Sequence, residues 1–105
     1  IHERYDEFDM YNWVHVIPNA MIVVASLLYG EGDYAKTICM SVETGFDTDC
    51  NGATVGSIIG MMHGTKAIGA AWTDPICGLV DTAIVGVGKV SVNELVALTM
   101  KHMEI

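Results

Sequence analysis

Two carboxylates one residue apart, Asp47 and Asp49, followed at once by Cys50, are the residues of this chain best suited to chemistry. They stand in the stretch Gly45-Phe46-Asp47-Thr48-Asp49-Cys50-Asn51-Gly52-Ala53-Thr54, directly ahead of an apolar, glycine-striped segment. An Asp-x-Asp pair at a helix entrance concentrates the hard oxygen donors that a magnesium-like ion takes. The same helix N-terminus presents unpaired backbone N–H groups and the positive end of the helix dipole to an anion such as a pyrophosphate. The alternative reading is that one aspartate caps the helix and the other is simply solvated. Cys50 allows a third reading, a thiolate activated at the helix N-terminus, against which stands an inert, buried cysteine. His15 and His63 each lie alone beside apolar residues and read as packed or exposed side chains rather than ligands.

The elements that must position this loop follow from period and punctuation. Residues 1–12 are dense in charge without a sustained period and read as a solvated arm. Pro18 sits where the first turn of a helix tolerates proline. Residues 20–28 are apolar at nearly every position, which predicts a helix covered on all sides, with Gly30 as its stop. Asp33 is placed to cap a second helix, with Ala35, Ile38, Cys39 and Val42 on one face and Lys36, Met40 and Glu43 on the other. The third helix is expected over residues 50–63. There Gly52, Gly56 and Gly60, continued by Gly64, line one face. Each interior glycine costs a helix about 1 kcal/mol relative to alanine, so the stripe predicts the close approach of another backbone. Ser91-Val92-Asn93-Glu94 is a capping-box pattern. It opens a last helix with Val92, Leu95, Val96 and Thr99 inward. Residues 84–90 have strand-like residues, but Gly86 and Gly88 favour a loop there, so the chain reads as all-α.

Composition narrows the function classes. At 105 residues the chain is a single helical unit, and 51% of it is hydrophobic. A formal charge of −8 argues against nucleic acid and anionic membranes as partners, since phosphates are met by basic patches. The apolar run from Val16 to Tyr29 is too short to span a bilayer, and no cationic leader opens the sequence. Three cysteines at scattered spacing offer no metal-type pair, so a reducing, cytoplasmic setting is expected.

The block from Gly45 through Asp47-Thr48-Asp49-Cys50-Asn51 to Gly60 resembles the C-terminal signature of the ADP-ribosylglycohydrolase family. That family includes the dinitrogenase reductase-activating glycohydrolases and the ADP-ribosyl-protein hydrolases. Trp13-Val14-His15-Val16-Ile17-Pro18-Asn19-Ala20 and Leu27-Leu28-Tyr29-Gly30 are similar to the family's helix ahead of the metal loop. Trp72, Pro75, Asp81-Thr82 and the segment from Ser91 to Thr99 look like its closing part. The resemblance implies an all-helical fold, an orthogonal helical bundle, whose cleft holds two magnesium ions that help place ADP-ribose while water cleaves the ribose–acceptor bond. It implies catalytic and metal-binding roles for Asp47 and Asp49. The position after the second Asp, often Ser or Thr and also a ligand in the family, is Cys50 here, and a thiol is a softer, poorer magnesium ligand than a hydroxyl. Thr48 would shape the loop, Asn51 would support it from behind, and Pro18 and Asn19 would lie near the cleft.

The family's upstream Thr-Asp-Asp motif does not occur in this sequence, and the chain opens on Ile1. The expectation is therefore a C-terminal part of a larger ADP-ribosylglycohydrolase domain, one that binds magnesium weakly by itself and is nearly silent in catalysis. Its partners would be ADP-ribose or an ADP-ribosylated protein, with self-association or docking to the missing N-terminal part. A non-catalytic helical packing module is the competing expectation.

Overall fold

A computed structural model describes residues 1–103 of the chain. Helices dominate, and the only sheet among these residues is a pair of three-residue strands, as the all-α expectation requires. The chain forms two compact units, Ile1–Ile68 and Gly69–Ile105.

In the first unit, turns over residues 1–15 lead into α1 (Val16–Tyr29), α2 (Tyr34–Glu43) and α3 (Thr48–His63). Local chemistry sets the starts of the first two helices. The His15 ring caps α1 by accepting the Ile17 N–H at 3.2 Å, and Asp33 caps α2 by accepting that of Lys36 at 2.7 Å. The three helices pack on one another along a seam of small and polar residues. Ser26, Thr37 and Ser41 are buried there, together with Gly52 and Gly56. A Cβ on Gly56 would stand 3.2 Å from Ile38 Cδ1, and one on Gly52 3.3 Å from Val42 Cγ2. The glycine stripe thus seats α2 on α3, as its spacing predicts. Gly60 has looser neighbours, and Gly64 is the C-cap of α3. Ile22, Val55 and Ile59 fill the apolar part of this core, each fully buried aliphatic contributing about 1.5–3 kcal/mol.

Several expectations are corrected here. α1 is not covered on all sides: Pro18, Ile22 and Ser26 are buried, while Val16, Val24 and Leu28 are exposed. Two neighbouring helices bury one stripe of a third, whatever the composition of its other face. On α2 the fully buried positions are Thr37 and Ser41; of the expected inward face Ile38 and Val42 do meet the α3 glycines, but Ala35 and Ile38 are only half-buried and Cys39 and Val42 are exposed. The opening residues are mostly exposed, as a solvated arm would be, but they are folded into turns. Asp6 and Asp9 each accept the N–H two residues on, from Phe8 at 3.0 Å and Tyr11 at 2.9 Å, and such turns leave no helical or strand period to read.

The second unit holds α4 (Ala70–Thr73), β1 (Leu79–Asp81), β2 (Lys89–Ser91) and α5 (Val92–Lys101). The strands pair antiparallel, Val80 opposite Val90. Gly86 and Gly88 lie in the connecting turn, as expected, but Lys89 and Val90 continue as strand. Ser91 caps α5 by accepting the Glu94 N–H at 3.1 Å. The inward face expected for α5 is not enclosed: Val92 and Val96 are exposed and Leu95 is half-buried. A three-residue hairpin is too small to cover a helix face.

Candidate metal centre

The acidic loop is built by a sharp bend at the α2–α3 junction. Gly45 (φ +86°) and Phe46 (φ +59°) are successive residues in the left-handed region. For Phe46 that conformation costs on the order of 1–3 kcal/mol and persists only where the surroundings over-determine it. Here they do. The Phe46 ring is buried and lies 5.1 Å from the His2 ring. Its N–H points to the Glu7 carboxylate at 3.4 Å. The next N–H, that of Asp47, points to Asn19 Oδ1 at 3.4 Å. Both bonds are long and individually weak, so the bend depends on several restraints acting together.

α3 begins two residues earlier than expected, at Thr48, which puts Asp47 at the N-cap position and Asp49 in the first turn. Asp49 is favourably placed there by the helix dipole. Asp47 makes no side-chain capping bond, so the reading in which one aspartate merely caps the helix does not hold. A carboxylate oxygen of Asp47, one of Asp49 and the Cys50 sulfur instead lie within 4.8 Å of one another. Asp47 is half-buried, and the other two are exposed.

Asn51 is buried at 3% exposure and donates to Asn19 Oδ1 at 2.8 Å. Asn19 in turn donates to the Trp13 carbonyl at 3.1 Å. The structure therefore brings together Asp47, Asp49, Cys50, Asn19 and Asn51, with Thr48 between the two acids as the first residue of α3. Pro18 is buried in the first turn of α1. Glu7 was missed by the sequence reading: nothing distinguishes it in an acidic run from Glu3, Asp6 and Asp9.

Cys50 is neither buried nor activated. Its thiol is pushed above the ordinary value, chiefly by the hydrogen bond it makes to the Asp47 carboxylate, then by the Asp47 charge, with smaller effects of desolvation and of Asp49. The two nearby anions favour the protonated thiol. The donor set holds two hard carboxylate oxygens, of the kind a magnesium-like ion takes, beside one softer sulfur. His15 is occupied as the α1 cap, and its ring stacks on Tyr5 at 6.1 Å.

A family model described as ADP-ribosylglycohydrolase matches residues 2–102. No curated protein and no solved structure matches the chain. The matched stretch takes in the acidic loop, the α3 glycines that seat it and the α1 residues that restrain it. The chain belongs to the ADP-ribosylglycohydrolase family.

Proposed function

We propose that this chain supplies one wall of a magnesium-dependent site that releases ADP-ribose from a modified protein side chain or a small acceptor. One observation carries the reading: the Asp47 carboxylate leaves the capping role open to it and joins Asp49 in a single donor cluster. Hydrolase chemistry of the family supports it. Asp47 and Asp49 would hold the cation, and Asn19 and Asn51 would keep the loop in place. The N-terminus of α3 favours a negatively charged ligand, such as a pyrophosphate. A bound magnesium would supply charge neutralisation and orientation of the ligand's oxygens and of water. In the reaction the bond from the ribose anomeric carbon to the acceptor breaks with oxocarbenium character. Water's oxygen ends on that carbon, and a proton goes to the acceptor.

Two carboxylates leave most of a near-octahedral shell to water and to other donors. We therefore expect weak magnesium binding by this chain and almost no turnover. The three cysteines are free and exposed, which fits a reducing, cytoplasmic setting.

The deciding experiment is calorimetric titration of ADP-ribose with and without magnesium, on the chain and on Asp47→Asn. The expected result is magnesium-dependent binding that weakens at least ~100-fold in the variant, at unchanged melting temperature, because a cation site loses one of its two charges. Equal binding by both proteins would sink the reading.

A non-catalytic packing module remains the second reading, and one observation favours it. The exposed side of α1 forms an apolar groove of 560 Å³ along Val16, Ala20, Val24 and Leu28. In that case sedimentation would show concentration-dependent self-association through α1, reversed by Val24→Glu, and Asp47→Asn would change nothing.

A further inference from the structure

The residues before α1 contain one carboxylate that the metal reading does not use. Glu7 is half-buried, whereas Glu3, Asp6 and Asp9 around it are exposed. Asp6 and Asp9 serve their own turns. Glu7 instead reaches a residue 39 positions away, where its Oε2 accepts the Phe46 N–H at 3.4 Å. The same oxygen occupies the space that a Cβ on residue 45 would need. Glu7 therefore lies against both left-handed residues of the bend, on the arm that also brings His2 to the Phe46 ring.

The next amide is held from another element, since Asp47 N–H points to Asn19 on α1. Two consecutive N–H groups are thus satisfied by side chains from two separate segments. Between them they fix the direction in which the chain enters α3, and with it the position of the Asp47 carboxylate. Glu7 is not itself among the clustered donor atoms.

We propose that Glu7 is a positioning residue for the Asp47–Asp49 centre. It acts as a hydrogen-bond acceptor that holds the Gly45–Phe46 bend, and it contributes to cation affinity through geometry rather than through its charge. The proposal rests on the metal reading of the loop for its consequence, but not for its structural content.

The test compares the full chain with Glu7→Ala and Glu7→Gln in two measurements. Amide hydrogen exchange is read by NMR in cation-free buffer, and affinity is read by titration with magnesium chloride. Loss of the acceptor is expected to speed exchange at Phe46 and Asp47 about fivefold, with Val55 and Ile59 unchanged, and to weaken magnesium binding by a similar factor. Glu7→Gln keeps an acceptor oxygen in place and is expected to restore both.

Unchanged exchange at Phe46 in Glu7→Ala would overturn the proposal. So would a glutamine variant as weak as alanine in magnesium binding, which would make Glu7 a source of charge. A uniform rise that includes Val55 and Ile59 would also overturn it, as loss of global stability. If Glu7→Ala does not fold, the glutamine variant decides: native exchange at Phe46 supports the role, and raised exchange refutes it. A chain that binds no magnesium would refute the metal reading, while the exchange result would still decide the role of Glu7.

Discussion

The two compact units of this chain solve the packing problem at very different densities. In Ile1–Ile68, α2 approaches α3 across Gly52 and Gly56, and Ile22, Val55 and Ile59 are 1%, 0% and 2% exposed. In the unit beginning at Gly69, Val90 is the one buried residue among those described, and the α5 face stands open. The candidate centre belongs to the dense unit. A cluster of like charges on a left-handed bend is unfavourable in isolation, and it needs a rigid support to keep its geometry. The three-helix seam provides that support; the hairpin and α5 could not.

The largest expected effect tests this contrast directly. Ile59→Ala removes a fully enclosed side chain from α3 and is expected to cost about 2–5 kcal/mol in denaturant unfolding. Leu98→Ala on α5, where Leu98 is 40% exposed, is expected to cost below ~1 kcal/mol. Similar costs at both positions would break the comparison.

A smaller effect sharpens it. The Ser41 hydroxyl is buried in the seam without a hydrogen-bond partner. Its dehydration is uncompensated, and alanine is also the better helix former. Ser41→Ala is expected to stabilise the chain by about 1 kcal/mol in thermal unfolding. Destabilisation of that size would show that the seam depends on polarity and not only on small volume.

The smallest effect is chemical. Because Asp47 raises the Cys50 pKa, it lowers the thiolate fraction at any pH below that value, and the thiolate is the reactive form. Asp47→Asn removes the charge and the strongest acceptor, so the pKa falls and alkylation of Cys50 at pH 8 is expected to quicken about threefold or more. Cys77, exposed in the other unit, serves as the reference whose rate stays unchanged. An unaltered Cys50 rate would show that the thiol does not engage Asp47 in solution.

Legibility in the sequence varied residue by residue, for physical reasons. Caps were readable because they act over three residues: Asp33 to Lys36 and Ser91 to Glu94 both form as their types suggest. The glycine stripe was readable because a helix turns a spacing of four into one face. The donor cluster was readable as residue types, Asp47 and Asp49, but not as an arrangement. A capping bond and a shared donor site look the same in one dimension, and only the missing cap separates them. The exposed side of α1 and the open face of α5 were misread because hydrophobic period says which residues favour burial, not whether a neighbour arrives to bury them.

By itself, then, the sequence determined the main helices, the starts of α2 and α5, the close approach of α2 to α3 and the hard-oxygen chemistry available at the α3 entrance. These depend on local dihedral preferences and on interactions within a turn or two. The tertiary structure alone decided that Asn19 meets Asn51 at 2.8 Å, that Glu7 meets the bend at Phe46, and that the Asp47 carboxylate turns to the Cys50 thiol and raises its pKa. Each of those contacts depends on where a distant segment or a rotated side chain comes to rest. That is set by how the whole unit closes on its core, and residue type and spacing carry no direct record of it.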